Sequence, residues 1–275
     1  MRKSSKLRNM YSYLLLFVMS LTLTLTVTLG VAAITALHPA EFSRSVAFVD
    51  YDQRSARMAK EEASEIGLLY GVSEEYLNNI DFVSFARTLA FIPFPESVAK
   101  KTSEVSDSFK QEVSAALQEY AMVMGLSLTQ EVQSGIDEMT VEVVEAFQAA
   151  ASIPLHQSFF TLIENFNQVL YPAVIILLII LLIQYQILVQ LDRHNRYRNI
   201  AYAFVMSGWM MIIAPIVLLL SGAYQKIMIY PDYFRDLLIR HFEVTLWGLV
   251  ISGGALLVVG GVWFAGFLRA SKPRL

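Results

Sequence analysis

Four stretches of the chain run through apolar side chains without a charged interruption: residues 9–40, 165–191, 199–225 and 244–268 contain no Asp, Glu, Lys or Arg. A hydrocarbon core about 30 Å thick takes roughly 20 residues of helix to cross, and lipid offers the backbone no partners. Each stretch therefore predicts a membrane-spanning helix, placed at 11–37, 168–191, 200–222 and 244–268. Tyr11, Tyr13, Tyr171, Tyr202, Tyr224 and Trp263 mark several of the ends, where amphipathic rings favour the interface. The alternation Leu21 to Thr28 (LTLTLTVT) looks strand-like but lies inside the first span, and lipid forces it helical.

Between the first two spans the apolar period changes to that of amphipathic helices in water. Ala56, Ala59, Ala63, Ile66 and Tyr70 recur at three and four, and Gly71 follows as a stop. Ser73 caps a short turn, Asp81 caps a helix from Phe82 to Phe91, and Pro93-Phe94-Pro95 breaks the chain. From Glu96, the positions Val98, Val105, Phe109, Val113, Leu117, Tyr120 and Met124 stripe a long helix that ends at Gly125. Ser127 with Gln130 forms a capping-box pattern, and Ile136, Met139, Val143, Phe147 and Ala150 stripe the next helix up to Pro154. A connection this short predicts an antiparallel hairpin about 43 Å long. The pattern is thus all-α: a polytopic membrane protein with four transmembrane helices and an extracytoplasmic α-helical hairpin or bundle domain, 38–167, between the first and second.

Charge gives the direction. The N-terminal tail 1–10, the loop 192–199 and the tail 269–275 together hold ten basic groups and one acid, whereas 38–167 holds eight basic groups and twenty acids. The outer loop 223–243 balances three against three. Short cytoplasmic flanks retain Lys and Arg, so both termini are expected inside and the acidic segment outside. A cleaved signal peptide is the alternative for the first span, with Val31-Ala32-Ala33 as the cleavage stretch, but its apolar run exceeds the usual 7 to 15 residues. The 275 residues include 16% charged and no Cys, and the outer segment has no Asn-x-Ser/Thr acceptor, which points to a prokaryotic plasma membrane.

Candidate chemistry is sparse. There is no Gly-rich phosphate loop, GxSxG, HExxH or Cys/His set, and the cytoplasmic pieces are too short for a nucleotide-binding domain. No catalytic residue, metal site, cofactor or nucleic-acid partner is expected. His38, His156, His194 and His241 lack ligand spacing. Span four carries Gly248, Ser252, Gly253, Gly254, Gly260, Gly261 and Ala265, whose small-xxx-small pairs Gly248/Ser252 and Gly261/Ala265 predict a helix-packing or partner face. Thr24, Thr28, Gln184 and Gln186 are the polar groups for a pore lining or for packing between helices. In the outer loop, Tyr230, Tyr233, Arg235, Arg240, His241 and Glu243 outline a short amphipathic helix at the interface.

A span, a helical hairpin and a second span resemble the layout of bacterial sensory receptors in topology alone, since two further spans stand where their signalling module would be. The functional expectation is a non-enzymatic plasma-membrane protein that presents a helical outer domain to a partner or ligand, as an accessory subunit, sensor or assembly factor. Its partners would be membrane lipids and either another membrane protein or further copies of itself. The alternative is a subunit of an oligomeric channel or transporter.

Overall fold

The computed structural model describes residues 2–90, 98–153, 156–191 and 196–271. Helix accounts for 88% of the described residues, and there is no strand among them. In chain order the helices are α1 (Arg2–Ile34), α2 (Pro39–Phe48), α3 (Tyr51–Leu69), α4 (Glu74–Leu77), α5 (Phe82–Ala90), α6 (Val98–Val123), α7 (Gln130–Ala151), α8 (His156–Leu191), α9 (Arg196–Ser221) and α10 (Asp232–Ser271). Two compact units contain them. An apolar unit comprises Met1–Glu41, Glu164–Ile227 and His241–Leu275, and a helical unit comprises Phe42–Ile163 and Met228–Arg240.

The apolar unit holds four helices long and apolar enough to cross a membrane: Met10–Ile34, Gln168–Leu191, Arg196–Ser221 and Asp232–Arg269. The short amphipathic helix expected in the loop before the fourth is instead the beginning of α10, which runs without a break from Asp232 to Ser271. Inside this unit, close approach depends on glycine. A Cβ on Gly208 of α9 would lie 2.8 Å from the carbonyl oxygen of Gly253, and one on Gly253 of α10 would lie 2.9 Å from that of Gly208. One turn-pair further on, a Cβ on Gly260 would meet Val205 at 2.8 Å and the Ala201 carbonyl at 3.1 Å. Gly248 packs against Val31 of α1 and against Thr35, just past its end. The small residues of α10 thus divide between two faces. Gly253, Gly260 and Gly248 are closed over by neighbours, whereas Gly254 and Gly261 have open space where a side chain would go and Ala265 is exposed. The pair Gly261/Ala265 therefore makes no contact face within the chain.

Polar side chains of α1 are satisfied locally or by a neighbouring helix. Thr22, Thr24 and Thr26 donate to the carbonyls four residues back, at 2.9, 2.8 and 2.7 Å. The Ser207 hydroxyl donates to the carbonyls of Ala203 and Ser20, and the Gln184 amide donates to Thr22 Oγ1 at 3.1 Å. Gln184 is buried with its Oε1 unpaired, whereas Gln186 is exposed two residues on.

In the helical unit, the stripes of α3, α5, α6 and α7 meet in one core. Ala56, Ala59 and Ala63 let α3 come close to α7, and Phe82, Phe109 and Phe147 form its aromatic centre. Phe109 and Phe147 stack with ring centroids 4.1 Å apart, and Gln148 donates to Ser106 Oγ at 2.8 Å, which fixes α6 and α7 as an antiparallel hairpin. Asp81 caps α5 through Ser84 N–H, as its position predicts. The cap of α7 is Thr129, which accepts from Val132 N–H, and not Ser127. Gly71 and Gly125, at φ 73° and 72°, take the left-handed conformation that ends α3 and α6. The break at Pro93-Phe94-Pro95 and the start of a helix at Glu96 lie outside the described residues.

Gly253→Val forces a branched side chain into the α9–α10 crossing, an overpacking that costs about 1–3 kcal/mol. Gly254→Val points its side chain into open space. Thermal unfolding in a mild detergent is expected to shift downward for the first and stay in place for the second.

Candidate functional site

An open cleft grows out of two helix ends built alike. After α3, Val72 N–H donates to the Gly67 carbonyl at 2.8 Å; after α6, Leu126 N–H donates to the Ala121 carbonyl at 2.9 Å. Both are six-to-one bonds closed over a left-handed glycine, an arrangement that turns the next apolar residue back toward its helix. Val72 and Leu126 are those residues, and both line a cleft at this end of the bundle. Leu117 and Ala121 of α6 and Val132, Ile136 and Met139 of α7 supply the rest of its apolar wall. Its volume is about 140 Å³. That is the scale of cavities that take up benzene and well below the 300–1,000 Å³ of pockets for drug-sized molecules.

Two tyrosines frame the opening. Tyr120 donates to the Gly71 carbonyl at 2.7 Å and meets Tyr76 edge to face at 4.8 Å. Tyr70 donates to Glu142 at 3.1 Å. Desolvation first, then that bond and the charges of Glu138 and Glu142, hold the Tyr70 phenol above its ordinary range, so it remains a donor at neutral pH. Gly135 forms part of the floor, and a Cβ there would meet nothing within 4 Å.

The surface at this end is apolar and exposed. Leu69 is 84% exposed, Leu68 71%, Val123 64% and Met122 61%, and Met124, Leu126 and Leu128 join them across the turn between α6 and α7. Met124, which continues the buried stripe of α6 in the sequence, therefore faces solvent. Single exposed apolar residues are ordinary; here seven fall near the ends of α3 and α6, the two helix ends that meet at the cleft. The polar residues around it share one sign. Residues 61–86 carry six acids and no base, and residues 111–153 carry seven acids and no base. Glu65, Glu74, Glu75, Glu119, Glu131 and Glu138 are exposed, and none forms an ion pair among the described residues.

Of the six residues expected to outline the outer interface helix, all but Tyr230 make specific contacts in the structure. Within the helical unit, Tyr233 is 5% exposed, donates to the Ala150 carbonyl at 2.7 Å and meets Tyr51 edge to face at 5.0 Å. Tyr51 is fully buried and bonded to the Ser152 carbonyl, and burial together with Tyr233 pushes its phenol far above the ordinary range. Arg54 pairs with Asp236 at 2.7 Å, Arg235 with Asp232 at 3.1 Å and with Asp236 at 3.2 Å, and the Arg240 guanidinium lies 3.9 Å from the Phe48 ring centroid. Tyr230 is 78% exposed. Within the apolar unit, His241 Nε2 lies 3.0 Å from the Ala36 carbonyl oxygen, and Glu243 accepts from Tyr224 at 2.9 Å. No group of three His, Cys, Asp or Glu suited to a metal occurs among the described residues. Of the polar candidates in the spans, Gln184 joins Thr22, Thr24 bonds back to Ser20 with its hydroxyl 3.8 Å from Met210 Sδ, Thr28 is half-buried, and Gln186 is exposed.

No family model, curated protein or solved structure matches the chain. The cleft itself escaped the sequence reading, although its signal was present: the connection Met124 to Thr129 is apolar where turns in water are usually polar.

Gly135→Leu fills the cleft from its own floor and replaces a helix-interior glycine, a change worth up to about 1 kcal/mol in helix propensity. Thermal unfolding of the full-length protein is expected to hold or rise. A fall of several degrees would mean that the floor is closed.

Proposed function

We propose that the protein is a non-enzymatic component of a prokaryotic plasma membrane, held by four spans with both termini in the cytoplasm, that displays its helical unit outside to bind a polypeptide partner. The observation that carries this reading is the exposed apolar end of the helical unit with a cleft sized for one large side chain. A cleft of that size suits an anchor residue of a larger partner better than a free small molecule, and the flanking Leu and Met side chains supply an adaptable rim. The charge asymmetry of the connections supports the orientation. An accessory subunit, sensor or assembly factor fits such a layout.

The channel or transporter reading draws less support. The threonine hydroxyls of α1 bond back to their own helix, and Gln184 and Ser207 tie α8 and α9 to α1, which is packing between helices. No charged side chain lies in the middle of a span, where a conduction path usually leaves one.

The chain has no Cys, so single replacements report cleanly. Ser127→Cys is expected to react with a membrane-impermeant maleimide in intact cells, and Ser4→Cys only after the membrane is opened. The reverse pattern would invert the topology and end the proposal. A photo-crosslinking residue at Leu69 or Met124 is expected to capture one polypeptide in native membranes, and Gly135→Leu to abolish that capture. Capture of lipid alone, or capture that survives Gly135→Leu, would contradict a docking role for the cleft.

A further inference from the structure

We infer that the segment seated at this cleft is an amphipathic helix whose apolar face enters it and whose flanks carry Lys or Arg. The inference rests on the docking role proposed above and adds the chemistry of the occupant. Three observations converge on it.

The first is the absence of any sheet among the described residues of the helical unit. An extended peptide gains its affinity by adding a strand to an open edge, and here there is no edge to join. A segment that buries itself against side chains alone must satisfy its own backbone, and a helix does so. The second is shape: a half-open cleft of about 140 Å³ offers a seat for one apolar anchor, and Leu69, Met122, Met124 and Leu128, exposed within two residues of its lining in sequence, offer shallower contact for neighbours at three- and four-residue spacing.

The third is charge. Residues 61–86 and 111–153, the stretches from which the cleft's lining is drawn, carry thirteen acids and no base, and Glu74, Glu75, Glu119, Glu131 and Glu138, all close in sequence to lining residues, are exposed without ion-pair partners among the described residues. Such a rim attracts Lys and Arg on the sides of an incoming helix and speeds its encounter. The same rim repels a bilayer rich in anionic lipid, so insertion of the apolar end into such a surface is disfavoured. The apolar patch alone fits a lipid surface or a protein; the acidic surround selects the protein.

The test uses the full-length protein in zwitterionic nanodiscs and three fluorescent synthetic peptides of about 18 residues, five turns of helix. One has Leu on a single face and Lys elsewhere, the second replaces each Lys with Glu, and the third scrambles the Leu/Lys sequence to destroy the apolar face. Specific binding is the anisotropy change lost with Gly135→Leu, which separates the cleft from peptide uptake by the lipid. The Leu/Lys peptide is expected to bind saturably, at least about ten-fold tighter than either other peptide, and to weaken about ten-fold when Glu75, Glu119 and Glu131 are together reversed to Lys. Equal, cleft-dependent binding of the Leu/Lys and Leu/Glu peptides would overturn the basic occupant while leaving the docking role intact. Equal binding of the scrambled peptide would overturn the helix. Binding of none, with phosphatidylcholine vesicles recruited by the wild-type protein and not by Leu69→Glu, would overturn both in favour of a lipid surface.

Discussion

Every helix in this protein has to cover one face, and the two solvents set different terms for doing so. In the apolar unit, lipid matches a leucine as well as another leucine does, so helices associate through close packing and interhelical hydrogen bonds. The paired glycines Gly208 and Gly253 bring two backbones to a distance that no side chain permits, and Gly260 repeats the device seven residues along α10. In the helical unit, water drives burial, and the alanines of α3 and the phenylalanines of α5, α6 and α7 meet in a single core.

That core is open at one end. Two glycines stop α3 and α6 in the same way and bring Val72 and Leu126 to the wall of the cleft; Val72 is buried there, whereas Leu126 is left exposed, as are Leu68, Leu69, Met122, Val123, Met124 and Leu128. Their exposure is unfavourable in water, and the chain places no segment of its own over them among the described residues. A surface of this kind is stable in use when something else covers it. On the proposed reading, the exposed carboxylates of the same stretches oppose pairing of two copies through this surface and favour a partner of opposite charge.

Much of the architecture could be read from residue spacing. The stripe Ile136, Met139, Val143, Phe147 and Ala150 is buried as written, and the stops at Gly71 and Gly125 are where the sequence puts them. What escaped depends on three-dimensional pairing. Periodicity cannot show that two helix ends lie side by side, so the cleft between Val72 and Leu126 was invisible. The capping pattern at Ser127 competed with Thr129 two residues later, and Thr129 prevailed because α7 begins at Gln130. Charges at Arg235, Asp236 and Arg240 disguised the first turns of α10 as a separate surface helix, whereas those charges are paired or stacked within the helical unit. The short helix α2, whose buried face is Phe42, Ser45 and Val46, was not anticipated.

The central claim is that the apolar end of the helical unit is covered in the membrane where the protein works. Hydrogen–deuterium exchange compares the protein in native membrane vesicles with the purified protein in nanodiscs, segment by segment. Slower exchange in native vesicles at residues 66–72 and 122–130, with no change at 105–113 in the buried middle of α6, is the predicted result. Identical exchange at both ends of that comparison would mean that the surface stays bare, and would contradict the account.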